Sequence, residues 1–364
     1  MADRRTTRRE FVRDGVALAG ATAVGLTAGQ QAAGAEAAQP LDEIRKTRSY
    51  NPNMEYRRLG KTGLWVSAVC MGGHWKRVSE VIGHNVGAYA APAKGPGGEA
   101  LRKNRYDVLT RCMEVGINYV DACTKGEVSV YGPALKGRRD KMYLGFAMWP
   151  ECPRSKKWCK ADALLKTLEE GMKLAELDYV DVWRLVASTP GKHSEADEKE
   201  FVEAFEKAKK QGKARFTGVS SHGRPWLKRL AESHPEHFQV LLFPYTADSK
   251  VLPKDSLFDA VRKHDVGTFG IKPFGGGSLF SGAKTAEEKL KRARLAIRNI
   301  LANPAMTAPI PGLASAKEVD NMALAVKERR ELDLKEKAEL RRAAREMWAG
   351  LPADYEWLRD WEYV

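Results

Sequence analysis

Short apolar runs alternate with longer helical patterns through the body of this 364-residue chain, and that alternation restricts it to an α/β architecture. The runs read as strands at Val66–Cys70, Tyr119–Ala122, Met142–Gly145, Tyr179–Leu185, Arg215–Val219, Val240–Phe243, Thr268–Lys272 and Met306–Ile310. Between them, Leu101–Val115, Ala161–Leu174, Glu195–Gln211 and Glu287–Ala302 place apolar residues at helical spacing. Eight strands with helical crossovers point to a parallel (β/α)8 TIM barrel rather than an open doubly wound sheet. One barrel of about 250 residues fits the length. The expected barrel spans residues 55–334. A long loop rich in Gly, Ala and Pro, Met71–Gly98, follows the first strand and belongs at the C-terminal face, where barrel active sites form. Residues 335–364 read as a charged helix and then a tail with Trp348, Tyr355, Trp357, Trp361 and Tyr363, which we expect to pack on the barrel.

The first 35 residues read as a targeting segment. Thr7-Arg8-Arg9-Glu10-Phe11-Val12-Arg13 resembles a twin-arginine export signal, a weakly apolar run Gly15–Gly29 follows, and Ala33-Gly34-Ala35 offers small residues for cleavage. The apolar run is too short for a comfortable membrane span. The expected partner is the twin-arginine export machinery, and the expected location is a bacterial periplasm or beyond. Residues 36–54 read as a linker. The net charge is +14, but basic residues are interleaved with acids, as in Glu328-Arg329-Arg330-Glu331. This is the pattern of a solvated mixed-charge surface, not of a nucleic-acid patch. Of five cysteines, Cys152 and Cys159 are the close pair, and a disulfide between them is left open. Neither Cys-x-x-Cys nor a helical His pair is present, so no metal is expected.

Five segments carry a family resemblance, in order: Tyr56-Arg57-Arg58-Leu59-Gly60-Lys61-Thr62-Gly63-Leu64, Gly116-Ile117-Asn118-Tyr119-Val120-Asp121-Ala122, Asp178-Tyr179-Val180-Asp181-Val182-Trp183, Gly212–Ser220, and Ile310-Pro311-Gly312 with Ser315. Together they resemble the aldo-keto reductase family over roughly three quarters of the chain. The resemblance implies hydride transfer between a nicotinamide cofactor, NAD(P), and a small carbonyl or alcohol substrate. It implies an Asp, Tyr, Lys and His at the site, with the Tyr donating the proton. No cysteine-rich iron–sulfur extension is expected.

Asp121 matches the family's Asp. Gly126 stands where the Tyr would be, Ala147 where the Lys would be, and Val186 where the His would be. Tyr131 is close by but reads as a core residue of the next helix. Side chains alternate along a strand, so Arg184 shares the inward face of Val186. A buried Arg needs a partner. Either Arg184 pairs with Asp121, or backbone carbonyls or Asp181 satisfy it. Arg stays charged at any working pH and cannot donate the proton. His74, Lys125 and His222, with Glu127 beside them, fall at the C-terminal face and are the candidate acids.

For the cofactor, the resemblance implies contacts from Ser220, Ser221, Lys272, Phe274, Gly275, Gly312, Ser315, Asp320 and Asn321. Leu242 replaces the family's amide-binding Gln, and Ile271 its ring-stacking aromatic. No basic residue stands two before Ser315, which argues against recognition of a 2′-phosphate. Two main readings follow: an exported oxidoreductase with a non-standard active site, or a redox-silent barrel that binds an anionic or sugar-like ligand. A lyase or hydrolase would need a nucleophile triad or metal set, and the sequence offers neither.

Overall fold

The structure is a computed structural model that describes residues 40–358, apart from 76, 88–93, 188–191 and 250–253. The targeting segment, Trp361 and Tyr363 lie outside the described residues. An antiparallel hairpin comes first, β1 (Tyr56–Arg58) and β2 (Trp65–Ser67). Eight parallel strands follow: β3 (Met71–Gly72), β4 (Tyr119–Thr124), β5 (Tyr143–Trp149), β6 (Val180–Val186), β7 (Ala214–Ser220), β8 (Val240–Pro244), β9 (Gly267–Ile271) and β10 (Ala308–Pro309). Each pairs with its sequence neighbour. The seam between the last and first strands is closed by Cys70 N donating to Pro309 O (3.0 Å) and Gly72 N to Pro311 O (2.8 Å). The (β/α)8 barrel read from the sequence is therefore the architecture.

The surrounding helices are α1 (Leu41–Ile44), α2 (Val78–Ile82), α3 (Pro96–Val115), α4 (Lys125–Ala134), α5 (Ala161–Leu174), α6 (Glu195–Lys210), α7 (Arg224–Ser233), α8 (Leu257–Lys263), α9 (Ala286–Leu301), α10 (Ala316–Lys327) and α11 (Leu334–Ala349). Their apolar faces pack on the outside of the sheet in one large core. The barrel interior is filled by Cys70, Tyr119, Tyr143, Val182, Val240, Leu242 and Phe269, with Leu59, Leu64 and Val66 of the hairpin below them. Tyr119 and Phe269 stack at 4.4 Å. Gly267 leaves the space that Leu59 enters: a Cβ there would lie 2.6 Å from Leu59 Cδ1. The hairpin thus plugs the N-terminal end.

The expected first strand is corrected by this plug. Val66 and Ser67 pair with β1, and the barrel strand begins later, at Met71. Both stretches are apolar and buried, so alternation alone does not separate a plug from a stave. The expected loop Met71–Gly98 is also corrected: it holds β3, α2 and the start of α3. Cys152 and Cys159 are free thiols.

The stretch from Pro40 onward docks beneath the barrel rather than trailing from it. Arg48 joins Arg139 and Arg215 around Asp181, which is fully buried on the outer face of β6. Arg48 Nη1 lies 3.1 Å from Asp181 Oδ2 and Arg215 Nη1 2.8 Å from Oδ1, while Leu144 N donates to Oδ2 at 2.9 Å. Burial pushes the Asp181 carboxyl up, but the three guanidinium groups outweigh it and hold it well below the usual carboxylate range. A depressed folded pKa gives stability that is present above the unfolded value of about 4 and lost as pH falls toward the folded one. Asp181→Asn would strand three guanidinium groups. We expect it to cost about 3 kcal/mol, read as a lower midpoint in urea unfolding at pH 7, with the gap to wild type narrowing in strong acid.

Candidate active site

Strand parity brings Asp121 and Arg184 together. Asp121 on β4 and Arg184 on β6 both face inward, near the C-terminal end of the barrel, and both are almost fully buried. Arg184 Nε donates to Asp121 Oδ1 at 2.9 Å and Nη2 to Oδ2 at 2.5 Å, a two-pronged pair, and Nη1 donates to Ser220 Oγ at 3.0 Å. The intervening strand offers no side chain to block them. Gly145 of β5 sits beside Asp121, and a Cβ there would lie 2.7 Å from Asp121 Oδ1 and 2.0 Å from Tyr119 Oη. Burial works against the charge on Arg184, but the adjacent carboxylate outweighs it and raises its pKa further. Asp181 is not the partner, because it points outward from the same strand.

At the rim, the polypeptide turns into α4 through a reciprocal cap. Thr124 accepts from Glu127 N, and Glu127 Oε2 accepts from Cys123 N (2.6 Å) and Thr124 N (3.1 Å). The other carboxylate oxygen, Oε1, holds His74 Nδ1. Glu127 is fully buried, whereas His74 is partly open to the cleft. Gly73 makes this approach possible, since a Cβ there would lie 2.1 Å from Asp121 O and 2.9 Å from Glu127 Oε2. Tyr131 lies beneath, fully buried, donating to Gly73 O at 2.9 Å.

These groups border a cleft of about 320 Å³ at the C-terminal face. Asp121, Arg184, His74, Ser220, Ser221, His222, Lys272, Phe274 and Gly312 line it, as expected from the sequence. So do Val186, at the position of the family's His, Gly276 and Gly277 of the loop that resembles a phosphate contact, and Cys123, Thr124, Trp149, Arg154 and Tyr355, which the sequence reading did not assign to a site. A second cavity of about 190 Å³ shares Arg77, Phe274, Phe280 and Gly312 with the first, and adds Lys289, Ser315, Lys317, Glu318 and Asn321.

Several expected residues stand elsewhere. Lys125 turns away to Glu151 (2.5 Å) and does not line the cleft, because the α4 cap fixes its backbone on the outer side. Gly275 lies under the wall, against Met347 of α11. Asp320 is drawn to Arg111 (2.7 Å) on the surface. Ser315, which caps α10, and Asn321, which bonds Leu290 O and Arg294, stand instead at the wall of the second cavity. Leu242 is buried in the interior stack, and Ile271 borders the cleft.

His222 is covered by the C-terminal segment, with its ring stacked on Trp357 at 3.9 Å. The Lys272 ammonium lies 5.5 Å from the Tyr355 ring and 5.6 Å from that of Trp357. Burial first, then the charges of Lys272 and Arg154, push the His222 imidazole down to about 2. His222 is therefore neutral at any working pH and is no proton donor. A folded pKa below the unfolded value of about 6.5 gives stability that is present above pH 6.5 and lost as pH falls below it. Unfolding free energy should drop with a one-proton slope there, and His222→Phe should flatten that slope.

The buried pair gives a second expectation. Arg184→Met leaves Asp121 buried without its cation and should cost about 3–5 kcal/mol in thermal or urea unfolding. The double variant Asp121→Leu/Arg184→Met should recover most of that loss, because no unpaired charge remains.

Three comparisons agree with this geometry. The Aldo/keto reductase family matches residues 87–293. The uncharacterized oxidoreductase YrpG of Bacillus subtilis is 23% identical over 75% of this chain and 91% of its own length. L-galactose dehydrogenase of Arabidopsis thaliana is 23% identical over 76% of this chain and 89% of its own. In three dimensions, an aldo/keto reductase from Klebsiella pneumoniae in complex with NADP and acetate superposes with a TM-score of 0.57 at 21% identity, covering 79% of this chain and 95% of that one. With the family match running over more than half its length, and the barrel and cleft in the places that match requires, this chain belongs to the aldo/keto reductase family.

Proposed function

We propose that the protein is an exported oxidoreductase that reduces a small carbonyl, or oxidises the alcohol, with a nicotinamide cofactor, and that His74 oriented by Glu127 moves the proton. The observation that carries this reading is the His74–Glu127 pair at the rim of the cleft. Gly126, Ala147 and Val186 hold no proton-transfer group, Lys125 faces outward, and His222 stays neutral.

The residues present fit a dinucleotide. The two cavities lie side by side and share Arg77, Phe274, Phe280 and Gly312 as walls. Ser221, Lys272, Phe274, Gly276 and Gly277 would hold the inner half, and Ser315 the outer half. Gly276 and Gly277 have φ of +69° and +105°, which leaves backbone open for close approach to a phosphate. The lack of a basic residue two before Ser315 counts against a 2′-phosphate, but Lys289 and Lys317, which spacing alone does not bring to the outer cavity, line it and favour the cofactor with the additional phosphate. That cofactor supplies or accepts a hydride when bound.

The chain's own residues do the rest. The Glu127 carboxylate accepts from His74 Nδ1 and fixes the tautomer, which leaves Nε2 for the proton delivered to the substrate oxygen. Arg184 is held by Asp121 and Ser220, so it shapes and charges the floor rather than transferring protons. Arg154 and Lys272 on the walls suit a substrate with a negative or strongly polar end. The twin-arginine segment carries the proposed location outside the cytoplasm.

A second reading is supported by Leu242, by Ile271 and by the closed Asp121–Arg184 pair: a redox-silent barrel that holds an anionic or sugar-like ligand. Titration with NADPH and NADH, followed by tryptophan fluorescence, separates the two. We expect micromolar binding, tighter for NADPH. Absence of binding up to millimolar would leave the second reading. In a carbonyl screen with the bound cofactor, His74→Gln should lower kcat about 100-fold or more.

A further inference from the structure

A second group of ligand-type side chains lies outside the cleft. Cys159, His193 and Asp197 come from two different βα connections, and their ligand atoms all lie within 4.8 Å of one another. Cys159 follows the short turn Lys156–Trp158 ahead of α5. His193 immediately precedes Ser194, the N-cap of α6, and Asp197 stands in its first turn. The Cys159 and His193 side chains are almost entirely buried, and that of Asp197 is nearly so.

We propose that Cys159, His193 and Asp197 form a zinc-type metal site that ties the β5–α5 connection to the β6–α6 connection. The donor set is one sulfur, one imidazole nitrogen and one carboxylate oxygen, which suits a borderline-soft dication. His193 Nδ1 already faces Asp197 Oδ2 at 3.8 Å. Phe201 and Trp226 pack against the imidazole, at centroid distances of 5.1 and 5.2 Å, and fix its orientation. Metal bonds of about 2.0–2.3 Å require the donors to close by roughly 1 Å.

The charge arrangement supports the proposal. Asp197 Oδ2 now carries the Lys156 ammonium at 2.5 Å, so the carboxylate already attracts a cation. The Lys156 side chain is 76% exposed and can swing into water when a stronger cation arrives. Binding deprotonates the Cys159 thiol and releases one proton to solvent. Thiolate and carboxylate then balance the dication, and water takes the fourth position. Trp149 at the end of β5 and Arg154 in the β5–α5 connection line the cleft, so the metal would steady one wall of the site without touching substrate.

The test uses the full protein, stripped with chelator and titrated with Co²⁺ and then Zn²⁺. We expect one equivalent of metal and a thiolate-to-cobalt charge-transfer absorption. Cys159→Ser should lose that absorption, and His193→Gln should weaken binding if the serine variant does not fold. Zn²⁺ should raise the Tm of wild type but not of Cys159→Ser. Lys156→Met should tighten binding by roughly fivefold, because it removes the competing ammonium. Substoichiometric binding, or a thiolate absorption that survives Cys159→Ser, would overturn the proposal, leaving the cluster as an ion pair beside a buried thiol.

Discussion

A guanidinium group buried inside a barrel cannot stand without acceptors, and Asp121, with Ser220, supplies them to Arg184. Much of the site is arranged around the Asp121–Arg184 pair. Gly145 on the strand between them leaves their path open, Tyr119 packs just below, and Ser220 takes the remaining side of the guanidinium. Because both charges are consumed in each other, the floor of the cleft is polar but chemically quiet. At the rim above it, His74 meets a carboxylate that also caps a helix, and the proposed function places the proton chemistry there. One residue, Glu127, thus serves local structure and orients the candidate acid.

Strand alternation was readable wherever a strand was long enough. It placed Arg184 and Val186 on the inward face, and it separates Arg184 from the outward Asp181 on the same strand. The first stave was misplaced because Val66–Cys70 is apolar for two reasons, half plug and half barrel. Periodicity reports burial and not the partner that buries it. The site residues divide in the same way. Residues on strand ends, such as Asp121 and Ser220, follow from parity. Residues on turns, such as Lys125 and Gly275, depend on how a cap or a neighbouring helix sets the backbone.

Glu127 shows a different limit. The pattern Thr124-x-x-Glu127 is a legible helix-start signal, and that reading is complete in itself. That the same carboxylate also holds His74 depends on a strand more than fifty residues earlier in the chain. Cys159, His193 and Asp197 are farther still from legibility. His193 and Asp197 share one helix start, but Cys159 arrives from another connection, so no spacing rule collects the three. The C-terminal aromatics fall between these cases. Their number implied packing, but not that Trp357 would cover His222 and Tyr355 would face Lys272.

The seam of the barrel has a consequence for the order in which the site comes into being. The Asp121–Arg184 pair joins strands close in sequence, so it forms from comparatively local contacts. Gly72 and Gly312 meet across the seam although 240 residues separate them in the chain, and Gly312 packs against the backbone of His74, where a Cβ would lie 2.5 Å from its carbonyl oxygen. Contacts of such long range carry the largest loop-closure cost and belong to the slow phase of folding. A chain with its first staves assembled would already own the charged floor and the His74–Glu127 contact, while the side of the cleft that Gly312 lines would still be open. Enclosure of the cleft is then a property of the closed ring alone, acquired in the last step rather than built up strand by strand.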